Sequence, residues 1–236
     1  THIVNQVFAL VEAGRFDEAD ELAGIPWEVA VADAVPIAQI WFAVMLGKAA
    51  GLRGRMDESL RWYREGASTA RLHGFRGPLS GALAGVAVAA ATLGRAADAA
   101  TAIEEYRTLP SFPFFGHDHA IGIAWSQWAN GDPAGARATL LAEAELAYEG
   151  HHNGSAGWLW HDASRLGARG LTERLRSVAD TGDSPVVAAR ALHVAAVEAG
   201  DPDALVAAAD AFEELGAALL AAEAAAEASS ELRRRG

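Results

Sequence analysis

The chain has 236 residues, a formal net charge of −12 and 51% hydrophobic residues. This hydrophobic content excludes an intrinsically disordered chain, and the acidic balance argues against a direct grip on nucleic-acid phosphates. The absence of cysteine excludes disulfides and thiolate metal sites. We find neither a signal peptide nor an apolar run long enough to span a bilayer. We therefore predict a cytoplasmic protein without a membrane contact and without a cofactor. Because Thr1 already lies in a helical pattern, we also expect a piece of a longer protein.

Six glycines divide the chain at intervals typical of helical repeats. Successive differences in their residue numbers are 40, 40, 37, 36 and 33, the range found in solenoids. Glycine ends a helix at low cost because it adopts a left-handed backbone conformation. Two of the turns continue as Asp132-Pro133 and Asp201-Pro202, a helix N-cap followed by proline in the first turn. The pattern predicts an all-α fold. The six turn glycines are Gly14, Gly54, Gly94, Gly131, Gly167 and Gly200.

The segments that follow the first two glycines, GRFDEADELA and GRMDESLRWY, resemble the core of the tetratricopeptide (TPR) repeat. The intervals of up to 40 residues exceed the usual repeat of about 34, so the likeness is TPR-like. Small residues stand five positions after four of the glycines, as close packing of antiparallel helices requires. We predict one domain over residues 1–236, a TPR-like solenoid of about six antiparallel helix pairs with a capping helix over 217–235. The four small residues are Ala19, Ser59, Ala99 and Ala136.

The connector Leu109–Phe115 carries three phenylalanines between and after two prolines. Such a composition is unusual for a solvated loop. It is consistent with a plug packed between repeats, or with a loop that covers a ligand.

A ligand surface is predicted where the first helix of each pair lines the inside of a superhelix. Positions three, six, ten and thirteen before each turn glycine share one helical face. In the third pair these positions are all small, which we expect to leave space beside the next pair. The same positions hold Lys48 in the second pair and Arg190 in the sixth. An aromatic floor with a few polar groups is the usual composition of a small-molecule site. The candidate ligand-binding residues are Trp125, Trp128, Ile121, Trp158, His161, Ser164 and Arg165.

The same indoles are also consistent with core residues of a superhelix too tight to leave an open groove. His161 and Arg165, four residues apart on one face, could hold an anionic or hydroxylated group or form structural hydrogen bonds.

No metal or catalytic site is predicted. His117 and His119 alternate at a helix start and point apart, and we expect Asp118 to act there as a helix cap. His151 and His152 are expected in solvent. His161 and Asp162, adjacent on a helix, cannot form a catalytic dyad, and no nucleophile is placed beside them. We expect no enzymatic activity.

Three successive segments of the second half resemble the helical-repeat region of large actinobacterial LuxR-family transcriptional regulators. They are WLWHDASRLG at 158–167, SPVVAARALH at 184–193 and DAFEELGAALLAAEAAAEA at 210–228. The resemblance covers roughly residues 30–236. These regulators are similar to the maltose-regulon activator in layout: an ATPase, a TPR-like sensor and a helix-turn-helix.

The resemblance implies a sensor domain that binds an inducer and controls self-association and DNA binding of the parent regulator. Its partner would be a small-molecule inducer or a regulatory protein, and this piece alone would bind neither ATP nor DNA. The family does not specify the inducer: sugars, other metabolites and regulatory proteins are all compatible. The alternative prediction is a TPR-like module whose groove accepts a peptide or a partner helix.

Overall fold

The computed structural model describes residues 2–110, 112 and 116–235. Within these residues the chain forms thirteen α-helices and no β-strand, which confirms the predicted all-α class. The helices are α1 (His2–Glu12), α2 (Phe16–Ala32), α3 (Pro36–Leu52), α4 (Met56–His73), α5 (Arg76–Thr92), α6 (Ala96–Tyr106), α7 (Gly116–Ala129), α8 (Pro133–Glu149), α9 (Asn153–Arg165), α10 (Thr172–Ala179), α11 (Pro185–Ala199), α12 (Pro202–Glu214) and α13 (Ala218–Arg235).

The glycine turns form as predicted, each by the same backbone hydrogen bond. Gly54 has φ of 78°, and the next residue, Arg55, donates its N–H to the carbonyl of Ala50 at 2.8 Å. The other five turn glycines also have positive φ, and the residue after each bonds to the carbonyl five positions earlier. This bond satisfies a carbonyl that the helix end leaves without a partner.

Both Asp-Pro helix starts are confirmed. Asp201 accepts hydrogen bonds from the backbone N–H groups of Asp203 and Ala204, and α12 begins at Pro202. Asp132 immediately precedes α8, and its carboxylate accepts a hydrogen bond of 2.8 Å from the backbone N–H of Gly135. A carboxylate at this place satisfies free N–H groups and complements the positive end of the helix dipole.

The chain divides into two compact units, residues 1–51 with 55–139 and residues 52–54 with 140–236. In the first unit α5 packs against α4, α6 and α7, and α1 against α2. In the second unit α11 packs against α9, α10 and α12, and α13 packs against α12. The organisation of 1–236 as a single domain stays a prediction.

The four small residues predicted at close helix contacts are all buried. Ser59 shows how close the contact is, because its hydroxyl donates to the carbonyl of Gly47 on the partner helix at 2.7 Å. The large fully buried side chains of the second unit include Trp160 on α9, Leu175 on α10 and Phe212 on α12.

Of the connector Leu109–Phe115, Ser111 and residues 113–115 lie outside the described residues. Phe112 is half-buried, and its ring packs on Gly77 of α5, where an added Cβ would come within 2.9 Å of the ring. The choice between a packed plug and a ligand-covering loop stays open for the rest of the segment.

A bilayer-spanning helix would have to be both long and apolar, and none of the described helices meets that requirement.

Candidate functional site

Helix α7 presents one buried and one exposed indole on the same face. Ile121 and Trp125 are buried, whereas Trp128 is 45% exposed. The two indole centroids lie 5.7 Å apart with the ring planes at 66°, an edge-to-face arrangement. Such contacts stabilise an aromatic pair beyond the area they bury, so Trp125 holds Trp128 in a defined orientation at the surface.

The space that we expected beside the third pair is filled by α7 itself. An added Cβ on Gly122 would come within 2.8 Å of the Cα and carbonyl oxygen of Ala84. The small residues of α5 therefore permit close helix packing and do not leave a cavity there. This expectation was wrong because a run of small residues is compatible both with close helix packing and with an open cleft. Only the position of the neighbouring helix distinguishes the two.

About two turns before Trp125, the same face of α7 carries a buried ionic network. The Lys48 ammonium on α3 is buried and donates to Oδ1 of Asp118 at 2.8 Å and to the carboxylate of Glu12 on α1. Nε2 of His117 lies 3.5 Å from Oδ2 of Asp118 and 4.0 Å from Glu12. One lysine thus ties three helices of the first unit together.

The predicted cap role of Asp118 is wrong. Helix α7 begins at Gly116, so Asp118 lies inside its first turn, and its carboxylate accepts from Lys48. A carboxylate in the first turn still complements the helix dipole, but its main partner comes from another helix.

The network shifts the pKa values of its members. Burial by itself would lower the pKa of Lys48, but the carboxylates of Asp118 and Glu12 outweigh it and raise that pKa. Burial opposes ionisation of Asp118 as well, yet His117 and Lys48 lower its pKa below the ordinary value. Burial raises the pKa of Tyr63 well above its usual value, and the two carboxylates add to the shift. Lys48 and Asp118 are therefore charged at neutral pH, and Tyr63 is neutral.

The two histidines that flank Asp118 have different surroundings. His119 is buried, its Nε2 lies 3.1 Å from the hydroxyl of Ser80, and burial lowers its pKa. His117 faces the carboxylates of the network. In the part of the chain that the structure describes, no three His, Asp or Glu side chains are grouped as metal ligands. The exposed positions of His151 and His152 confirm the prediction for that loop.

In the second unit, three helices are connected by a histidine relay. Nε2 of His161 on α9 lies 3.0 Å from Nδ1 of His193 on α11, and Nε2 of His193 lies 2.8 Å from a carboxylate oxygen of Glu227 on α13. Because the carboxylate can only accept, His193 donates through Nε2 and accepts at Nδ1 from His161. Nδ1 of His161 is then an acceptor, buried and without a hydrogen-bond partner among the described residues.

Arg165, one turn after His161, joins α9 to α13 a second time. Its guanidinium donates two parallel hydrogen bonds of 2.7 Å to Glu223 and a third to the buried Asp162. Burial would lower the pKa of Arg165, but Asp162 and Glu223 raise it. Trp158, also on α9, is buried, and the guanidinium of the buried Arg190 stacks on it at 3.4 Å from the ring centroid, a cation–π contact.

Glu12, Glu223 and Glu227 were not identified as network residues from the sequence. A signal existed for two of them, since Glu223 and Glu227 interrupt the apolar pattern of α13 and lie four residues apart on one face. Nothing in the local sequence marks Glu12, because its partner Lys48 is 36 positions away.

The stability of the protein is expected to fall as the pH drops below about 6.5. Burial lowers the pKa of His161 well below its ordinary value, and the nearby guanidinium groups of Arg190 and Arg165 lower it further. The unfolded chain therefore binds a proton that the folded chain rejects, so this contribution to stability is complete above pH 6.5 and is lost below it. Denaturant unfolding at several pH values between 5 and 8 measures the slope of the free energy of unfolding against pH.

The variant His161→Gln isolates the contribution of His161 to this pH dependence, because glutamine keeps an N–H donor toward His193 and does not titrate. It should reduce the slope below pH 6.5 by up to about 1.4 kcal/mol per pH unit. The exposed His152→Gln is the matched control and should leave the slope unchanged. An unaltered slope in His161→Gln would contradict the assignment of this pH dependence to His161.

A surface depression of about 320 Å³ lies between α4 and the start of α6, away from the predicted site residues. Its guanidiniums already have carboxylate partners: Arg64 is 2.9 Å from Asp98, and Arg95 is 3.0 Å from Asp57. These are exposed ion pairs of small energetic value. The lining residues are Asp57, Leu60, Arg61, Arg64, Glu65 and Arg95.

The seven predicted ligand-binding residues fall into two groups. Ile121, Trp125 and Trp128 lie together on α7 in the first unit. In the second unit, Trp158, His161 and Ser164 are buried and Arg165 is half-buried on α9. His161 and Arg165 both form hydrogen bonds with protein side chains, as the structural alternative in the sequence analysis predicted. Their role in ligand binding stays a prediction. No protein-family model, curated protein or solved structure matches the chain.

Proposed function

We propose that this chain is a ligand-sensing domain of TPR-like helix pairs from a LuxR-type transcriptional regulator, and that Trp128 forms part of its ligand surface. The observation that carries the proposal is the half-exposed indole of Trp128, fixed edge-on against the buried Trp125. A flat aromatic surface in a fixed orientation can stack on a sugar or a planar ring without an ordering cost on binding.

The packing of alternate helices supports the repeat arrangement within each unit. Contacts join α5 to α7 and α9 to α11, the first members of successive pairs. Polar links also join first members of pairs: Lys48 joins α3 to α1 of the preceding pair and to α7 of the pair after next, and the relay through His193 joins α9, α11 and α13. Stacking of each repeat on its neighbour is the defining contact of a solenoid.

Under this proposal the chain receives the signal, and other parts of the parent regulator carry out its ATP and DNA chemistry. The net charge of −12 supports the assignment of ATP and DNA binding to other parts of the regulator, because an acidic domain repels the phosphates of ATP and of DNA. Binding of an inducer would relieve autoinhibition of the regulator, as the family resemblance implies.

Tryptophan fluorescence of the chain, titrated with mono- and disaccharides and with planar heteroaromatic metabolites, tests the proposal. At least one member of the panel should change the emission saturably, and Trp128→Ala should weaken its binding by about tenfold or more. Trp62→Ala is the matched control, because Trp62 forms a similar edge-to-face pair with Trp27 at 5.1 Å. Equal affinities for wild type and Trp128→Ala would show that the assignment of Trp128 is wrong.

A further inference from the structure

Helix α2 has apolar side chains on its outer face that its own packing does not use. Its inner face is complete, with Phe16, Ala19 and Ala23 buried in the first unit. On the opposite side, Ile25 is 74% exposed and Val29 is 51% exposed. Single exposed aliphatic residues are common, but two at positions i and i+4 form a continuous stripe on a helix.

Acidic residues border this stripe. At about 100° per residue, Glu18, Glu21 and Glu28 fall within the same arc of about 100° as Ile25 and Val29. We name these five residues the α2 outer face. Glu18 pairs with Arg15. For Glu21 and Glu28, no basic group within 4.0 Å is found in the described part of the chain.

The whole helix has this charge character. Between Phe16 and Ala32 the sequence contains five acidic residues and no lysine or arginine. A partner for the α2 outer face therefore needs an apolar strip to cover Ile25 and Val29 and cationic groups along one side of that strip, where Glu21 and Glu28 lie. Acidic membranes and nucleic acids lack this combination and are repelled by the glutamates.

We propose that the α2 outer face docks a basic amphipathic helix of a partner protein. The ridge formed by Ile25 and Val29 fits the groove between side chains of an opposing helix, and lysine or arginine beside that groove reaches Glu21 and Glu28. The same face of a second copy is a poor occupant, because a symmetric contact would place these glutamates against each other. This inference shares no residue with the proposed Trp128 surface and stands independently of it.

The experiment uses the full chain and a labelled helical peptide of about 18 leucine and lysine residues, with leucines at i, i+3, i+4 and i+7. Fluorescence anisotropy at about 50 mM and 300 mM salt separates apolar from electrostatic contributions. Saturable one-to-one binding is expected. Ile25→Gln with Val29→Gln should weaken it by about tenfold or more, and Glu21→Gln with Glu28→Gln should weaken it mainly at low salt.

Val206→Gln is the matched control, because Val206 is an equally exposed valine (47%) on α12, and it should bind within about twofold of wild type. Circular dichroism checks that each variant is folded. Unchanged binding in the Ile25/Val29 variant overturns the proposal, as does equal affinity for a peptide of the same composition without the helical period. Self-association of wild type that the Ile25/Val29 variant abolishes would also overturn it, because the occupant would then be another copy of this chain.

Discussion

Replacement of Lys48 with methionine is expected to lower the free energy of unfolding by about 3 kcal/mol at pH 7. Methionine fills much of the same volume, but it leaves the carboxylates of Glu12 and Asp118 facing each other without their shared cation. Removal of one partner of a buried ion pair costs about 3–5 kcal/mol. We expect the lower end because Glu12 is 21% and Asp118 is 23% exposed, so water offsets part of the loss.

The pH dependence of this deficit identifies its cause. In wild type the pKa of Asp118 is lowered, so its contribution to stability is present above the ordinary pKa and is lost only as the pH falls through the depressed value. In Lys48→Met, burial of Asp118 remains while the cation is gone, so Asp118 takes up a proton at higher pH and the deficit should shrink between pH 7 and pH 4. Denaturant unfolding at both pH values measures the change.

Arg64→Met is the matched control, because it removes a cation from an exposed pair with Asp98. Its effect should stay below about 1 kcal/mol. A Lys48→Met deficit as small as this, or one independent of pH, would contradict the role assigned to the network.

Gly85→Ala is expected to destabilise the first unit by about 3 kcal/mol or more. An added Cβ would lie 2.0 Å from Cε1, 2.2 Å from Cδ1 and 2.3 Å from Cζ of the Tyr63 ring. Tyr63 cannot move aside easily, because it is buried and its ring also lies against Gly47, where an added Cβ would be 3.1 Å away. The variant must therefore separate α4 from α5 or displace the ring.

Gly24→Ala is the matched control for the effect of a methyl group on a helix. Gly24 lies in α2 with no atom within 4 Å of an added Cβ, so alanine should be neutral or stabilising by up to about 1 kcal/mol. Combination of Gly85→Ala with Tyr63→Ala should cost clearly less than the sum of the single changes, because the clash is removed. Strict additivity would show that the ring contact is not the cause.

The local pattern was sufficient for the helices and their turns. The glycine turn after α3 depends on a hydrogen bond from Arg55 to Ala50, and the start of α12 depends on Asp201 and the two N–H groups that follow it. All these groups lie within five residues of each other, so their preferences are encoded locally. The small residues at helix contacts could also be predicted, since four of them stand at the same distance after a turn glycine.

The candidate site shows where this reasoning ends. A spacing of three residues correctly puts Trp125 and Trp128 on one face of α7, but it does not tell which indole is exposed. Packing of neighbouring helices buries Trp125 and leaves Trp128 at the surface. The role of Asp118 was assigned wrongly because α7 begins at Gly116, and because its cation comes from Lys48, 70 residues earlier in the chain.

By itself, the sequence determined an all-helical chain, the six glycine turns and the two Asp-Pro helix starts. Only the tertiary structure decided that Lys48 joins three helices, that His161 bonds to His193 and through it to Glu227, and that the small face of α5 is covered by α7. The reason is physical: backbone preferences depend on groups a few bonds away, whereas the partner of a buried charge or ring depends on which helices become neighbours.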